Sequence, residues 1–383
     1  MEMTQVEAIV NEATQEAVGA ESVSGRDFNQ IVDIGKAVLD SSNIDNYVKT
    51  LIDHIGKVVF VNRPYAGGTP SILMDSWEYG AILEKITYEG LPEAEDNDSW
   101  NLVDQQSYDP NIFYKPTVSA KFYDKRRTFD IPMSFARKQV KSAFDNAAQL
   151  QAFFSMIETA IGNSMTVKMD SLVQYTLANA IVTTYAGRAT KPATVVSLTT
   201  LYNALTGETL TPGESVLINP EFIRFSAWTI GKYHRRMLKL STIFNQGGKD
   251  RFTPADRMKS IMHSDFESAA GVYLQSDTFH DEFVKFPKTE TVAYWQGSGT
   301  AFGFADTSKV IGTPSGVTPA AGSDVTVNNV VAMLFDRDAL GVSNLDRRVT
   351  TNWNPKGEFT NNWYKFDAGY FNDFNENCVI FIL

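Results

Sequence analysis

The chain has 383 residues, 43% of them hydrophobic and 12% aromatic, which is enough apolar material for two or three packed cores. Its net charge of -11 argues against a dedicated nucleic-acid-binding surface. The charge is typical of a protein that stays soluble at high concentration, or of a shell that encloses a polyanion without adhering to it. The single cysteine, Cys378, excludes an intrachain disulfide framework. With no long apolar run and no signal-peptide pattern, the sequence predicts a soluble protein made inside the cell.

The N-terminal segment predicts two helices. Residues 1–20 have an acidic amphipathic pattern without Lys or Arg, typical of either a frayed tail or an arm that settles on another chain. A second helix is predicted over about 27–57. The chain then becomes extended, because Arg63-Pro64 and Gly67-Gly68 break a helix.

Residues 71–131 predict a long two-stranded ribbon, with 71–88 as one arm and 116–133 as its return. The tip between the arms, residues 89–109, carries seven carboxylates and no cation. These are Glu89, Glu93, Glu95, Asp96, Asp98, Asp104 and Asp109. Because an isolated ribbon is marginally stable, it is either a flexible surface hairpin or a clasp over a neighbouring subunit.

A long helix follows the ribbon. The pattern becomes helical from Ser134, with Pro132–Ser134 as its start, and no proline follows until Pro192. If most of 142–185 is one helix, its length is about 65 Å. That exceeds the width of an ordinary domain, so the segment predicts a strut.

Residues 195–340 predict a separate α/β unit. Helices are expected at 198–205 and 222–240, strands at 215–220, 270–279, 290–296 and 329–336, and a mobile surface insertion at 312–323. Residues 353–383 contain nine aromatics and end in the apolar run Cys378–Leu383. Such a terminus is either the last strand of a buried sheet or part of a subunit contact.

No catalytic, cofactor or metal site is predicted. The four histidines are far apart, and only His280 has acidic neighbours, which fits a solvated loop better than an incomplete metal site. The turn at 66–69 lacks the Lys of a phosphate-binding loop. The sequence therefore gives little support for an enzyme.

Two basic groups stand out. One borders the ribbon at residues 121–141, here called the root, and the other lies on the helix predicted at 222–240. Solvated faces are one interpretation of both. The other is that the acidic tip of one copy docks on the basic root of the next, a head-to-tail contact that closes rings. The candidate contact residues are Glu93, Glu95, Asp96 and Asp98 at the tip, and Lys125, Arg126, Arg127, Arg137 and Lys138 at the root. The second group is Lys232, Arg235, Arg236 and Lys239.

The order of these parts resembles the major capsid protein of tailed bacteriophages, the Hong Kong 97-type fold. The likeness spans nearly the whole chain and is carried by five stretches in register. They are SWEYGAILEKITYEGLPEAEDNDSW, FDIPMSFARKQVKSAF, STIFNQGGKDRFTPADRM, YLQSDTFHDEFVKFP and WYKFDAGYFNDFNENCVIFIL.

The resemblance implies an α+β fold of four parts. They are an N-terminal arm (1–62), an extended loop (63–130), a peripheral domain with the spine helix (131–190 and 341–383) and an axial α/β domain (191–340). It also implies pentamers and hexamers that close into an icosahedral shell around double-stranded DNA, within a virion assembled in the host bacterial cytoplasm. The implied partners are other copies of the chain, a portal protein, candidate scaffolding or decoration proteins, and DNA through nonspecific contacts, with no membrane and no cofactor.

Two departures and one alternative accompany this resemblance. The arm before the loop is short, which favours a separate scaffolding protein or none. Lys85 and Lys115 are candidates for a covalent cross-link, but no catalytic pairing is identifiable. The alternative is an encapsulin-like nanocompartment shell, against which the long acidic loop and the N-terminal arm favour the virion.

Overall fold

The protein is described by a computed structural model that covers most of the chain from residue 72 onward. The described residues are 72–74, 83–88, 94, 96–111, 113–136, 147–275, 289–296, 303–315 and 323–383. The helices predicted in 1–57, the extended segment that follows them and most of the insertion at 312–323 lie outside these residues.

The described residues form thirteen strands and five α-helices, so helix and sheet are mixed as predicted. The strands are β1 Leu73–Met74, β2 Leu83–Tyr88, β3 Val118–Tyr123, β4 Arg126–Ala136, β5 Val195–Ser197, β6 Met258–His263, β7 Thr289–Val292, β8 Val310–Gly312, β9 Val325–Val327, β10 Val330–Asp336, β11 Leu340–Asn354, β12 Phe359–Asn372 and β13 Cys378–Ile382. The helices are α1 Ala147–Ala186, α2 Leu198–Thr206, α3 Pro220–Met237, α4 Ser264–Gln275 and α5 Phe304–Thr307.

Two mixed sheets organise these elements. One has the order β1-β11-β12-β4, with β1 parallel to β11 and the other pairs antiparallel. The other has the order β5-β13-β10-β6-β7 and is parallel at both edges. Two further antiparallel pairs, β2–β3 and β8–β9, are separate from both sheets.

Helix α1 is the predicted strut. Its 40 residues span about 60 Å. Met169, Leu172 and Ile181 belong to one buried cluster with side chains from both sheets, including Met333 and Phe366. One helix therefore joins the two sheets through a shared core.

The start predicted for this helix is wrong. Residues 131–136 belong to strand β4, which pairs with β12 as far as Ala136 opposite Phe359. Phe129, Ile131 and Phe135 alternate with exposed positions in the manner of a half-buried strand. Pro132 is compatible with this strand because β4 lies at the edge of its sheet.

The strand predicted at 215–220 is also wrong. Glu214–Ile218 is a 3₁₀ turn that buries Val216 and Leu217. Asn219 then ends the turn by accepting hydrogen bonds from the backbone N–H groups of Glu221 and Phe222, at 3.0 and 3.2 Å. This side chain caps α3, so the chain turns directly into the helix.

The strand predicted at 270–279 is wrong over residues 270–275, which complete helix α4. Phe266 and Ala270 are buried, and Ala269 and Tyr273 pack against the same core. These four positions have the spacing of one helical face. Phe266 and Ala269 precede residue 270, so the helical pattern begins outside the segment in which the strand was predicted.

The C-terminal run is an inner strand. β13 lies between β5 and β10, with Ile380 opposite Val195 on one side and Met333 on the other. Ile380 faces the core formed by α1, whereas Phe381 faces a second core formed with α2, α3 and α4. The apolar terminus is therefore buried within its own chain, and the alternative of a subunit contact is not needed to explain it.

Candidate assembly interface on the ribbon

The predicted ribbon is present only as the antiparallel pair β2–β3, with Lys85 opposite Lys121 and Ile86 opposite Ala120. The outer parts of the predicted arms, β1 and β4, instead pair with β11 and β12 in the four-stranded sheet. Exposure alternates along both strands. Lys85, Thr87, Ser119 and Lys121 share the half-buried face. The ribbon thus has one polar face towards the body of the molecule and another face towards solvent.

The solvent face is largely apolar. Ile86 and Phe122 retain 65% and 62% of their exposure, and Tyr88 and Val118 are also exposed. This arrangement reverses the usual pattern of a half-buried sheet, in which apolar side chains face inward. A contiguous apolar face on a projecting ribbon is typical of a surface that another protein covers.

The connection between the two strands continues this exposure. Trp100 is 93% exposed and Phe113 84% exposed. The connection is nevertheless ordered by local bonds, since Asn97 Oδ1 accepts from the Ser99 N–H at 2.8 Å and Asp109 Oδ1 from the Asn111 N–H at 2.9 Å. It therefore presents large aromatic side chains on short polar turns.

Four side chains hold the ribbon on the body, and we call them the ribbon lock: Lys85, Lys121, Asp373 and Glu376. The carboxylate of Asp373 accepts from Lys85 Nζ and from Lys121 Nζ, both at 2.9 Å. Lys85 Nζ also lies 2.9 Å from Glu376 Oε1 and donates to the Asp338 carbonyl oxygen at 3.2 Å. Two lysines facing each other would repel, and Asp373 between them removes that cost.

Burial and charge oppose each other in this lock. Burial by itself would raise the pKa of the Asp373 carboxyl, but Lys85 and Lys121 hold that pKa below its usual range. Burial would likewise lower the pKa of Lys85, and the carboxylates of Asp373 and Glu376 instead raise it. Both groups are therefore charged at neutral pH, and each depends on the other.

The turn that carries the carboxylates, residues 373–377, is itself fixed. Arg251 Nε lies 3.4 Å from Glu376 Oε1, and the Gly247 N–H donates to the Phe374 carbonyl oxygen at 2.9 Å. The ring of Tyr123, at the end of β3, lies 5.1 Å from that of Phe371. The ribbon is thereby attached at its base, whereas Ile86, Tyr88 and Val118 on its solvent face remain exposed.

The predicted basic root lies where β3 passes into β4. Lys125, Arg126 and Arg127 are exposed, and the Lys125 carbonyl oxygen accepts from the Tyr370 N–H at 3.1 Å. The guanidinium of Arg127 lies 5.5 Å from the centre of the Tyr175 ring. Arg137 and Lys138 lie outside the described residues, so three of the five root candidates can be placed.

Of the tip candidates, Asp96 is exposed, the side chain of Asp98 is not described, and Glu93 and Glu95 lie outside the described residues. Within the described part of the chain, no ion pair joins a tip carboxylate to the root. The tip and the root are thus not partners within one copy as far as the structure describes them.

A small cleft borders the ribbon base and the root. Its volume is about 150 Å³, and its lining includes Phe122, Lys125, Tyr175 and Phe371. Tyr175 meets Tyr370 edge-on there, with ring centres 5.8 Å apart. The cleft is of a size to accept one inserted side chain.

Sequence reasoning did not select Asp373 or Glu376 as functional residues. The one signal available was that Lys85 and Lys121 fall on the same face of two strands whose other face is apolar. Two cations facing inward require an anion there.

Other chemistry is not indicated in the described part of the chain. No group of three His, Cys, Asp or Glu side chains is placed to hold a metal ion among the residues described. His263 is buried, with its Nε2 3.0 Å from Thr307 Oγ1. Across the same residues, none of the helices has the length and apolar character needed to span a bilayer.

Comparison with solved structures shows that the chain has the fold of a phage capsid protein. The capsid structure of Staphylococcus phage Andhra covers 82% of this chain and 83% of its own with a TM-score of 0.51, at 9% sequence identity. At that identity the likeness concerns the fold alone.

Sequence comparison identifies the family. The profile of the Phi29-like phage major capsid protein family matches residues 6–382, and the chain belongs to that family. The major capsid protein of Bacillus phage GA-1 is 25% identical over 165 residues, which are 42% of this chain and 33% of that relative. The matched segment therefore spans about a third of the relative's length. The family is one of structural proteins of the virion.

Proposed function

We propose that this chain is the major capsid protein that builds the icosahedral head of a tailed phage, self-assembling through pentamers and hexamers around a double-stranded DNA genome. Family membership supports the capsid role. The observation that carries the assembly is the ribbon, because its lysines face inward and its apolar side chains face solvent.

The energetic argument follows from that orientation. Ile86, Phe122 and the aromatics of the strand connection remain in water in a single copy. Fully burying one such side chain contributes about 1.5–3 kcal/mol. A second copy that covers this face gains that contribution without rearranging the ribbon, since the lock already holds its base. Modest contacts repeated over a closed shell then stabilise it.

The proposed organisation follows the Hong Kong 97-like plan: the arm 1–62, the loop 63–130, the peripheral domain 131–190 with 341–383, and the axial domain 191–340. Helix α1 and the β4–β12–β11 sheet support the peripheral domain. The five-stranded sheet with α2, α3 and α4 supports the axial domain, and the segment 341–383 of the peripheral domain contributes its last strand, β13, to that sheet. The two domains share a core at α1, which suits a wall that resists pressure.

The contact between copies is proposed to place the acidic tip of one ribbon against the root of the next. Lys125, Arg126 and Arg127 are exposed, and the aromatic cleft beside them could receive one apolar side chain from the strand connection. A portal protein, and scaffolding or decoration proteins, are further proposed partners. The encapsulin-like alternative is not favoured, since the family is that of phage capsids.

The assembly proposal is tested with purified recombinant protein by electron microscopy and sedimentation velocity. Wild-type protein is expected to form closed shells at high concentration. Ile86→Glu is expected to prevent closure and leave the free energy of unfolding of the monomer within about 0.5 kcal/mol, because Ile86 is exposed.

Ile311→Glu is the matched control, since Ile311 is an exposed isoleucine on another two-stranded antiparallel pair, β8–β9. It should assemble as wild type does. Equal loss in both variants would contradict a role specific to the ribbon, and wild-type protein that stays monomeric would contradict self-assembly of this chain.

A further inference from the structure

Helix α3 carries the second basic group of the sequence, and the ribbon does not account for it. Lys232, Arg235 and Arg236 have the spacing i, i+3, i+4, which places them on one side of the helix, and Lys239 follows two residues after its last residue. We call them the α3 stripe. Arg235, Arg236 and Lys239 are exposed. Among the described residues, no carboxylate forms an ion pair with any of the four, whereas Arg224 earlier in the helix pairs with Glu221 at 3.0 Å.

Positive charge is in excess along this stripe. Burial and the neighbouring Arg236 together lower the pKa of Lys232, and burial and Arg235 lower the pKa of His234. Lys232 Nζ lies 4.4 Å from the centre of the Trp228 ring, an interaction that offsets part of the repulsion. A bound anion would offset the rest.

The helix end accounts for only part of this charge. Cations in the last turn are favourable because the C-terminus of a helix carries a partial charge of roughly -0.5, and each contributes about 0.3–1 kcal/mol. Four cations together exceed that half charge several times. The chain as a whole has a net charge of -11, so the stripe is a local exception rather than a general property of the surface.

We propose that the α3 stripe binds the phosphate backbone of duplex DNA and lies on the inner wall of the shell. The inference rests on the proposed function, since packaged DNA is the polyanion that such a shell encloses. Lys232 to Arg236 spans about 6 Å along the helix axis, a length over which duplex DNA carries about four negative charges, and Lys239 follows just beyond the helix end. Lysine and arginine contacts of this kind position a backbone without reading sequence.

An acidic protein surface is the competing occupant. Protein interfaces place aromatic side chains at their centre. Trp228, at the edge of the stripe, is 55% exposed, but Lys232 lies across one face of its ring. The stripe therefore presents charged side chains rather than a free apolar centre. This favours a phosphate backbone over a protein surface as its ligand.

The test measures binding of unassembled full-length protein to a labelled random-sequence duplex over a series of salt concentrations. The variant Arg235→Gln/Arg236→Gln/Lys239→Gln removes three exposed cations from the stripe. The matched control Lys168→Gln/Arg188→Gln/Lys356→Gln removes three exposed cations from α1, the turn after it and the β11–β12 turn. Circular dichroism and unfolding curves establish that both variants fold.

The stripe variant is expected to flatten the dependence of log K on log salt by about 0.9 for each phosphate that is no longer neutralised, or about 2.7 for three phosphates. The control is expected to keep the wild-type slope. Equal slopes for all three proteins, or equally flattened slopes in both variants, would overturn the inference.

Shell formation by the same proteins separates this inference from the proposed function. If the stripe variant forms shells normally and loses DNA affinity, the inference stands. If it loses shell formation and keeps DNA affinity, the stripe is a protein interface and the inference is overturned. If wild-type protein forms no shells, the proposed function fails, and the binding slopes still decide whether the stripe takes DNA.

Discussion

Lys85 and Asp373 form a 2.9 Å ion pair across 288 residues of chain. Lys121 reaches the other oxygen of the same carboxylate from the opposite strand of the ribbon. One aspartate, in the turn just after β12, thus holds both strands of β2–β3, and this interaction places their polar face inward. The orientation of the ribbon, and with it the exposure of the apolar face, depends on this pair.

The two lysines of the lock should contribute unequally to stability. The side chain of Lys85 is 18% exposed and that of Lys121 is 44% exposed. Lys85→Met is expected to lower the free energy of unfolding by about 3 kcal/mol, because it leaves a buried carboxylate without its main partner. Lys121→Met is expected to cost under about 1 kcal/mol, since water already screens that pair. Urea unfolding of the purified variants measures both.

Lys115→Met is the control for this comparison, as Lys115 is exposed in the strand connection. It should unfold as wild type does. Equal effects of Lys85→Met and Lys121→Met would show that burial does not set the strength of the lock.

The lock should also give a defined pH dependence. The pKa of Asp373 is lowered in the folded state, so its contribution is present above its unfolded pKa, about 3.9, and is lost as pH falls through the folded value. The pKa of Lys85 is raised, so its contribution is present below about 10.4 and is lost as pH rises through the folded value. The pair therefore stabilises the fold between about pH 4 and pH 10.

Unfolding free energies of wild type and Asp373→Asn, measured across this range, check the prediction. The difference between them should be largest near neutral pH and shrink towards acid pH. A difference that stays constant below about pH 4 would show that the carboxylate of Asp373 is not the titrating group.

Reversing the charge of the root should impair assembly. Arg126→Glu/Arg127→Glu is expected to reduce shell formation while the monomer stays folded, because both side chains are exposed and like charges across an interface are unfavourable. Asp96→Lys/Asp104→Lys at the tip should restore assembly in the same background, since both side chains are exposed. Sedimentation velocity measures the outcome, and unchanged assembly of the root variant would count against an interaction between tip and root.

Cys378 should be unreactive in the folded protein. Burial raises the pKa of its thiol to about 11, an effect that Thr184 partly opposes, and the side chain lies within the core of β13. A thiol reagent at about pH 8 is expected to label no cysteine in native protein and one cysteine in urea. Rapid labelling of native protein would show that the terminal strand opens readily.

Local patterns were sufficient for the parts of the fold that repeat over many residues. The strut was predicted over 142–185 and is α1, and the strand predicted at 329–336 is β10. Prediction was wrong where a segment was short or its pattern began elsewhere, as at 215–220 and 270–275. Strand β4 was missed beyond residue 133 because Pro132–Ser134 was taken as a helix start, whereas the place of this strand at a sheet edge depends on its pairing with β12.

The candidate site was predicted in outline and not in its chemistry. The ribbon and its acidic tip follow from composition and alternation, and the root lies in the sequence beside them. Asp373 and Glu376 could not be selected, since nothing local in their segment marks them as partners of a lysine 288 and 291 positions earlier.

The alternation of residues 83–88 and 118–123 determined by itself that the ribbon has one largely polar and one largely apolar face, because side chains on a strand point to opposite sides in turn. It did not determine which face is covered. Only the tertiary structure decided this, by placing the carboxylates of Asp373 and Glu376 beneath Lys85 and Lys121. A charged pair with good geometry holds the polar face inward, so the apolar face is left in water for another copy to cover.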